Sequence, residues 1–197
     1  MKSIESLMQK AMEMKKNGLS EKEIADELHL SSETITWLLT RGVEEDSIPA
    51  DAKIGWRSIG VFGDRIQNIS MLMMDIIEEE LCLMEDDVDT ILGIDVNGIP
   101  FASFISATMG KEVAIFRPPL REDVKGTLSS NYADIRGKKV VIVDDVLGTG
   151  QTMKNAVSTI KENGGNPILL VVLVNKTPHN EILGVPLRAL IRARVLR

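Results

Sequence analysis

The sequence predicts an α/β protein in which a small helical domain precedes a doubly wound parallel sheet. From about residue 64 onward, apolar strand-like runs alternate with helical patterns, which is typical of parallel sheets covered by helices. Residues 1–41 instead show helical periodicity. We therefore divide the chain into a helical domain (1–41), a linker (42–52) and an α/β domain (53–197).

Composition narrows the class of protein. The chain has 197 residues, 44% of them hydrophobic, which is enough for a sizeable core. Its one cysteine, Cys82, excludes an internal disulfide framework, and its place in a helix-like run predicts a buried, inert thiol. No apolar run approaches the roughly 18 residues of a membrane span, and no signal-peptide pattern is present. We expect a cytoplasmic protein with no membrane partner.

Short-range signals predict the first two helices. Apolar residues at helical spacing predict a helix over residues 3–14, which Asn17-Gly18 ends with a pair that tolerates left-handed backbone. Ser20 and Glu23 have the spacing of a capping box, which opens the second helix.

A third helix is predicted from Ser31 or Ser32. Before it stands His29, a residue type enriched among non-glycine residues at positive φ, so we interpret His29 as a turn residue and not as a metal ligand. Small Ala25 stands where the second helix would cross the third. The three helices together resemble a helix-turn-helix.

The resemblance implies that the third helix enters the major groove of double-stranded DNA. The DNA contacts that follow are Ser32, Glu33, Thr36 and Trp37 on the outward face, with Arg41 and Lys22 as phosphate contacts. The net charge of −6 argues mildly against nonspecific binding of polyanions by the whole chain. A module for protein interaction or dimerisation, built from the same helices, remains the alternative.

The segments that follow connect the two domains. Residues 42–51 are acidic, contain a proline and lack periodicity, as linkers do. Residues 53–61 predict a short strand or arm, in which Trp56 is a core or interface anchor. A long helix is predicted from about residue 64 to 84.

The α/β pattern then begins. Strands are predicted over residues 90–96, 112–117, 140–143 and 168–175. Asn97-Gly98 forms a turn before a helix at 99–109, and the pattern Met153, Ala156, Val157, Ile160 marks a further helix face. Residues 185–197 predict a strand with Arg188, Arg192 and Arg194 on one face. That face suits a solvated edge strand, while a basic lip over a ligand or an additional DNA contact is the alternative.

The stretch VVIVDDVLGTGQT, residues 140–152, carries the chemistry. Asp144 and Asp145 follow a buried strand, and a glycine-bearing loop leads into a helix. Backbone N–H groups at such a helix start favour an anion, and glycine lets the backbone close around it. Adjacent carboxylates suit vicinal ribose hydroxyls, directly or through Mg²⁺. The pattern predicts a ribose 5-phosphate site, whereas a P-loop lysine and a dinucleotide fingerprint are both missing.

This stretch resembles the PRPP motif of type I phosphoribosyltransferases, apart from Gly148 where a threonine is usual. The resemblance implies that the acids hold the ribose of phosphoribosyl pyrophosphate (PRPP), that the loop holds its 5′-phosphate, and that the loop after the first strand contacts pyrophosphate. The implied ligand-binding residues are Asp144, Asp145, Leu147, Gly148, Thr149, Gly150, Gln151, Thr152, Asn97, Gly98 and Arg117. It implies no obligatory cofactor, although Mg²⁺ bound with PRPP would lie at Asp144 and Asp145.

The second domain resembles orotate phosphoribosyltransferase in particular, but its mobile loop departs from the pattern R-K-x-x-K with a downstream His-Gly. Arg117 matches the first arginine, Pro118 replaces the first lysine, Arg121 stands at the second, and Asp123-Val124 replaces His-Gly. Fewer cations would leave departing pyrophosphate less stabilised. We therefore expect a domain that binds PRPP or a nucleotide and transfers slowly or not at all, so that no catalytic residue is assigned.

A helix-turn-helix joined to such a domain resembles the archaeal orotate phosphoribosyltransferase-like transcriptional regulators associated with sugar catabolism and, in outline, the bacterial purine repressor. This implies a homodimeric regulator of sugar or nucleotide metabolism that binds an operator and responds to PRPP or another phosphorylated metabolite. Two alternatives remain: an active orotate phosphoribosyltransferase with structural N-terminal helices, and a sensor that acts through a protein partner.

Overall fold

The computed structural model describes residues 4–40, 51–119 and 125–194. They form two compact units. The described residues up to Gly55, together with Arg194, belong to the first, and Trp56–Ala193 form the second. The predicted DNA contact Arg41, most of the predicted linker and the lid residues Arg121 and Asp123-Val124 lie outside the described residues.

The first unit contains three helices, α1 (Ile4–Lys16), α2 (Glu21–Leu28) and α3 (Ser32–Thr40). After α1, Gly18 has a φ of 91°, and between α2 and α3 His29 has a φ of 52°, so both predicted left-handed positions are confirmed. The turn at His29 lets α3 pack back onto α1 and α2.

The predicted capping box at the start of α2 is also confirmed. The Ser20 hydroxyl and backbone N–H donate to the Glu23 carboxylate at 2.7 and 2.8 Å, and the Glu23 N–H donates to Ser20 Oγ at 3.3 Å. The two hydrogen bonds that the Glu23 carboxylate accepts, that from the Ser20 side chain foremost, lower its pKa because they favour its charged form.

An apolar core holds the three helices together. Its buried members are Ala11, Ile24, Ala25, Leu28, Ile35, Trp37 and Leu38. This arrangement is consistent with the predicted helix-turn-helix. It also corrects the prediction for Trp37, which was placed on the outward face of α3 but is only 5% exposed. Thr34, which lies one helical turn before Trp37 on the same face, is buried with it.

The second unit is built on one curved run of seven strands in the order β3-β2-β1-β4-β5-β7-β6. The strands are β1 (Thr90–Ile94), β2 (Glu112–Arg117), β3 (Thr127–Leu128), β4 (Lys139–Leu147), β5 (Asn166–Asn175), β6 (Glu181–Ile182) and β7 (Val185–Arg192). The pairs β1–β2, β1–β4, β4–β5 and β5–β7 are parallel, and the short strands β3 and β6 pair antiparallel at the ends. The predicted α/β class with a mainly parallel sheet is confirmed.

Helices cover both faces of the sheet. They are α4 (Arg57–Gly60), α5 (Gly63–Leu83), α6 (Gly98–Met109) and α7 (Gln151–Glu162). The predicted face of α7 is buried in the main core cluster, to which β1, β2, β4, β5 and β7 contribute alternate residues. Helices α5 and α6 contribute nothing to that cluster and instead contact β1, β4 and β5, so they lie on the other face.

Two expectations are corrected here, and one pair of alternatives is narrowed. Of the short strand or arm predicted for residues 53–61, the described residues contain no strand: residues 53–56 are irregular and the short helix α4 follows. Cys82 is exposed near the end of α5, because the buried positions of this helix are Ser70, Met73, Ile77 and Leu81. On β7, Arg188 is only partly solvated, since its side chain is 38% exposed and donates from Nε to Glu80 Oε1 on α5 at 2.6 Å.

Ion pairs line the amino ends of the parallel strands. Asp87 lies 3.0 Å from Lys111 Nζ, just before β2, and Asp86 pairs with Lys139 at the start of β4. Hydrogen bonds from the two lysines lower the pKa of both carboxyls, and the bond to Asp86 raises the pKa of Lys139. These charged side chains at the amino edge thus form ion pairs with one another. The predicted ligand site lies at the opposite, carboxyl edge of the sheet.

Candidate functional site: the carboxyl edge of the sheet

Strand β4 is longer than the predicted run and carries both acids beyond its neighbour β1. The last residue pair between β1 and β4 is Gly93 with Val143, whereas β4 continues beside β5 as far as Leu147. Asp144 and Asp145 therefore lie within β4, at the point where β1 has ended. This gives the acids a rigid backbone and leaves a gap in the sheet beside them for the loop that follows β1.

Asp145 is held inside that gap. The residue is only 4% exposed. Its Oδ2 accepts hydrogen bonds from Trp56 Nε1 at 2.7 Å and from Asn97 Nδ2 at 3.0 Å. Burial of a carboxylate is tolerated when such donors satisfy it. The structure thus brings two predicted site residues, Asp145 and Asn97, into contact.

Trp56 is the site residue that sequence analysis missed. It is an anchor as predicted, since its ring lies 5.6 Å from that of Phe101, but it also donates to a predicted ligand-binding acid. The hydrogen-bonded residues are 89 positions apart. No local pattern could have indicated this contact, because it depends on how the chain folds back over β4.

Asp144 is half-buried, and its Oδ1 accepts from the Asp145 N–H at 2.9 Å. Directly beside it, Gly98 begins α6. A Cβ added at Gly98 would lie 2.4 Å from the Val143 carbonyl oxygen and 3.3 Å from Asp144 Oδ1. The close approach that this glycine permits in the structure is to the backbone of β4, which fixes the start of α6 next to the acids.

The loop after β4 leads into α7 through a left-handed residue. Gly150 caps α7 with a φ of 82°, and Thr149 Oγ1 accepts from the Gln151 N–H at 3.3 Å. Gly148 and Thr149 are exposed, while the Leu147 side chain is buried in the main core. A ligand in this loop would therefore meet the backbone at Leu147, not its side chain. The first turn of α7 directs its N–H groups towards the loop, as an anion site requires.

Two further predicted ligand-binding residues lie at the start of α7. Gln151 is exposed and its amide donates to Asn155 Oδ1 at 3.3 Å, while Thr152 is half-buried. Both lie in the first turn of α7, so their side chains border the loop without closing it.

Arg117 reaches the same edge from β2. Its Nε lies 3.9 Å from Asp95 Oδ2, in the loop after β1, where the Asp95–Val96 peptide bond is cis. The arginine side chain is 62% exposed, so this ion pair contributes little to stability. Arg117 therefore stands beside the gap as a cation able to turn towards a bound anion.

The acids do not form a metal cage of their own. Within the described parts of the chain, no three His, Cys, Asp or Glu side chains are grouped so that they could hold a metal ion. Asp145 Oδ2 is occupied by two N–H donors. Mg²⁺ prefers six oxygen ligands and usually keeps several waters, so an ion here would need oxygens from water or a bound phosphorylated ligand in addition to the carboxylates.

In the first unit, the predicted DNA contacts other than Trp37 and Arg41 lie at or near the surface. Ser32, Glu33 and Thr36 are exposed on α3, and Lys22 is half-buried on α2. Thr36 Oγ1 donates to Glu21 Oε2 at 2.9 Å. Three exposed side chains thus share the outer part of α3.

Known proteins match this chain along its whole length. A family model described as a phosphoribosyl transferase domain matches residues 63–181. The transcriptional regulator GfcR of Thermoplasma acidophilum is 49% identical over 197 residues, which is 100% of this chain and 98% of the relative. The protein of the same name from Picrophilus torridus is 48% identical over 193 residues, covering 98% of each chain.

Among solved structures, orotate phosphoribosyltransferase from Aeropyrum pernix superposes with a TM-score of 0.58, covering 78% of this chain and 86% of that one. At 19% identity, this likeness concerns the fold. None of the helices among the described residues is long and apolar enough to cross a bilayer. The family match and the full-length identity place this chain among the GfcR transcriptional regulators, with a phosphoribosyl transferase domain.

Proposed function

We propose that this chain is a homodimeric, DNA-binding transcriptional regulator whose second unit senses PRPP or a related phosphorylated metabolite. The observation that carries the proposal is the 49% identity with a relative named as a transcriptional regulator, because it extends over the whole chain, including α1–α3. We propose central sugar or nucleotide metabolism as the regulated process.

The outer part of α3 supports DNA binding. Its buried residues Ile35 and Leu38 attach the helix to the core, so the exposed polar side chains lie on the side that would face the base edges. Lys22 on α2 is suited to a phosphate, whose contacts position a helix without reading sequence. Together they offer the two kinds of contact that an operator requires.

The carboxyl edge of the sheet supports ligand binding. A 5′-phosphate fits the loop at Thr149 and Gly150, where the helix dipole of α7 favours an anion. From there the ribose hydroxyls would extend to Asp144 and Asp145 on the same strand. Mg²⁺, where it accompanies PRPP, would neutralise part of the negative charge of the pyrophosphate.

The operator experiment tests the regulator. Purified protein is used to select genomic fragments at moderate salt, with and without PRPP and Mg²⁺. We expect a two-fold symmetric motif whose occupancy changes with PRPP. Lys22→Ala should weaken binding on all sequences and lower the salt slope by about 1, whereas Lys154→Ala on α7 serves as the matched control. No enrichment above background, even at low salt, would contradict the proposal.

An active orotate phosphoribosyltransferase is the second candidate, favoured by the acids and phosphate loop at the sheet edge. A steady-state assay with orotate, PRPP and Mg²⁺ separates the two functions. We expect negligible turnover, because Pro118 replaces a cation of the lid. Robust turnover that Asp144→Asn abolishes, and that Asp134→Asn at an exposed loop position retains, would establish the enzyme.

A further inference from the structure

The indole N–H of Trp56 donates to Asp145, one of the two carboxylates to which the proposed ligand would bind. Asp145 Oδ2 already accepts from Trp56 Nε1 at 2.7 Å and from Asn97 Nδ2 at 3.0 Å. A carboxylate oxygen has two lone pairs, so this atom has its full complement of donors. A ribose hydroxyl that donates to the same oxygen must therefore displace one of the two side chains.

Trp56 is the more easily displaced of the two. Asn97 lies directly before α6 and is fixed by the contact of Gly98 with β4. Trp56 is half-buried and stands at the end of a segment, residues 51–56, that is neither helix nor strand. When the indole leaves, a ligand hydroxyl replaces the hydrogen bond that Asp145 loses, so the exchange costs only the bond made by the indole N–H.

The other end of this segment is anchored to the first unit. Asp51 Oδ2 accepts from the Ser31 N–H at 2.6 Å and from Thr34 Oγ1 at 3.1 Å. Ser31 precedes α3, and its Oγ accepts from the Thr34 N–H at 3.1 Å. Asp51 is therefore part of the cap of α3, the helix whose first residues, Ser32 and Glu33, are the proposed base contacts.

We infer that residues 51–56, which we name the strap, transmit ligand occupancy from Asp145 to the amino end of α3. Only Ala52, Lys53, Ile54 and Gly55 separate the two anchored residues, and the boundary between the units follows Gly55. A ligand hydroxyl on Asp145 releases the indole, and release of Trp56 alters the restraint on Asp51 and thus on the α3 cap. The ligand can shift DNA binding only by its different affinity for the held and released states. This inference rests on the proposed function.

The first test replaces the indole donor. In Trp56→Phe the aromatic contact with Phe101 can persist, but no group at position 56 donates to Asp145. We expect PRPP with Mg²⁺ to bind about tenfold more tightly than to the wild type, because the competing donor is gone. DNA affinity should no longer respond to PRPP. Tyr132→Phe, at an exposed aromatic residue of the same unit, is the matched control and should keep the wild-type response.

The second test leaves both anchors intact and lengthens the strap. Insertion of Gly-Ser-Gly-Gly between Lys53 and Ile54 should preserve PRPP affinity and DNA affinity when each is measured alone, since long flexible insertions cost little. The effect of PRPP on DNA affinity should fall to less than a quarter of its wild-type fold-change.

The outcomes separate the inference from the proposed function. If PRPP changes the DNA affinity of the wild type and of both variants equally, transmission through the strap is contradicted, whereas the proposed regulator function is retained. If the wild type binds neither PRPP nor DNA, the proposed function fails and the inference with it. If lengthening the strap reduces the response to less than a quarter of its wild-type fold-change while Tyr132→Phe retains it, transmission through the strap is supported.

Discussion

Gly98 and Gly148 both belong to the predicted ligand site, yet they meet very different surroundings. A Cβ at Gly98 would lie 2.4 Å from a backbone oxygen of β4, while a Cβ at Gly148 would meet nothing within 4 Å. The first glycine is therefore required by packing. The second glycine is not required by packing, so a side chain at Gly148 would extend into open space at the ligand loop.

This difference predicts opposite effects of one methyl group. Gly98→Ala should lower the free energy of unfolding by about 1–3 kcal/mol, because the start of α6 must move away from β4. Gly148→Ala should change it by less than about 0.5 kcal/mol. Urea denaturation followed by circular dichroism measures both. Equal destabilisation of the two variants would contradict the packing role of Gly98.

A second prediction at this scale concerns Asp144, whose carboxylate is the half-buried acid of the pair. Asp144→Asn should reduce PRPP affinity at least tenfold, because the amide cannot supply a negative charge to Mg²⁺ or accept equally from ribose hydroxyls. Isothermal titration calorimetry measures the affinity, and Asp134→Asn is the control at an exposed carboxylate. Unchanged affinity would remove Asp144 from the ligand site.

At the scale of elements, the start of α2 offers a prediction with a defined pH dependence. The Glu23 carboxylate has a lowered pKa in the folded state, so its contribution to stability is present above the unfolded-state pKa and is lost as the pH falls through the folded one. Ser20→Ala removes the hydroxyl that donates to Glu23 and accepts from its N–H. We expect a loss of about 1 kcal/mol at neutral pH.

The measurement is chemical denaturation of wild type and Ser20→Ala at pH 7 and at pH 3, with Ser130→Ala as a control at an exposed serine. The difference between wild type and Ser20→Ala should shrink at pH 3, since protonated Glu23 loses the charge that Ser20 stabilises. A difference that stays constant with pH would show that the carboxylate takes no part in the cap.

Elements were predictable where the signal is local. Four β-branched residues predicted β4, and the turn position of the helix-turn-helix pattern, together with the residue type, placed His29 at positive φ. Sequence-based prediction fails where a feature depends on contacts between residues that only the folded chain brings together. The strand continues through Asp144 and Asp145 because β5 pairs with β4 as far as Leu147. Trp37 is buried because the three helices pack around it in one core. Likewise, no pattern within residues 53–61 could indicate that Trp56 donates to Asp145.

At the scale of the whole molecule, the proposed regulator must present two copies of α3 to one operator. Since half-sites on DNA repeat with the helical turn, the copies should contact positions about 34–36 Å apart. Sedimentation equilibrium should give twice the chain mass of 21.7 kDa, and footprinting should show two protected half-sites about one turn apart. A monomer that protects a single half-site would contradict this assembly.

The exposed position of Cys82 affects how that assembly can be studied. An accessible thiol can join two chains by air oxidation, so a covalent dimer formed during storage would imitate the native one unless a reductant is present. The same accessibility is an advantage for spectroscopy. Because the chain has one cysteine, a maleimide nitroxide would attach at one place per copy without mutagenesis. Dipolar spectroscopy on the labelled dimer would then give a single inter-label distance, against which ligand-driven changes could be followed.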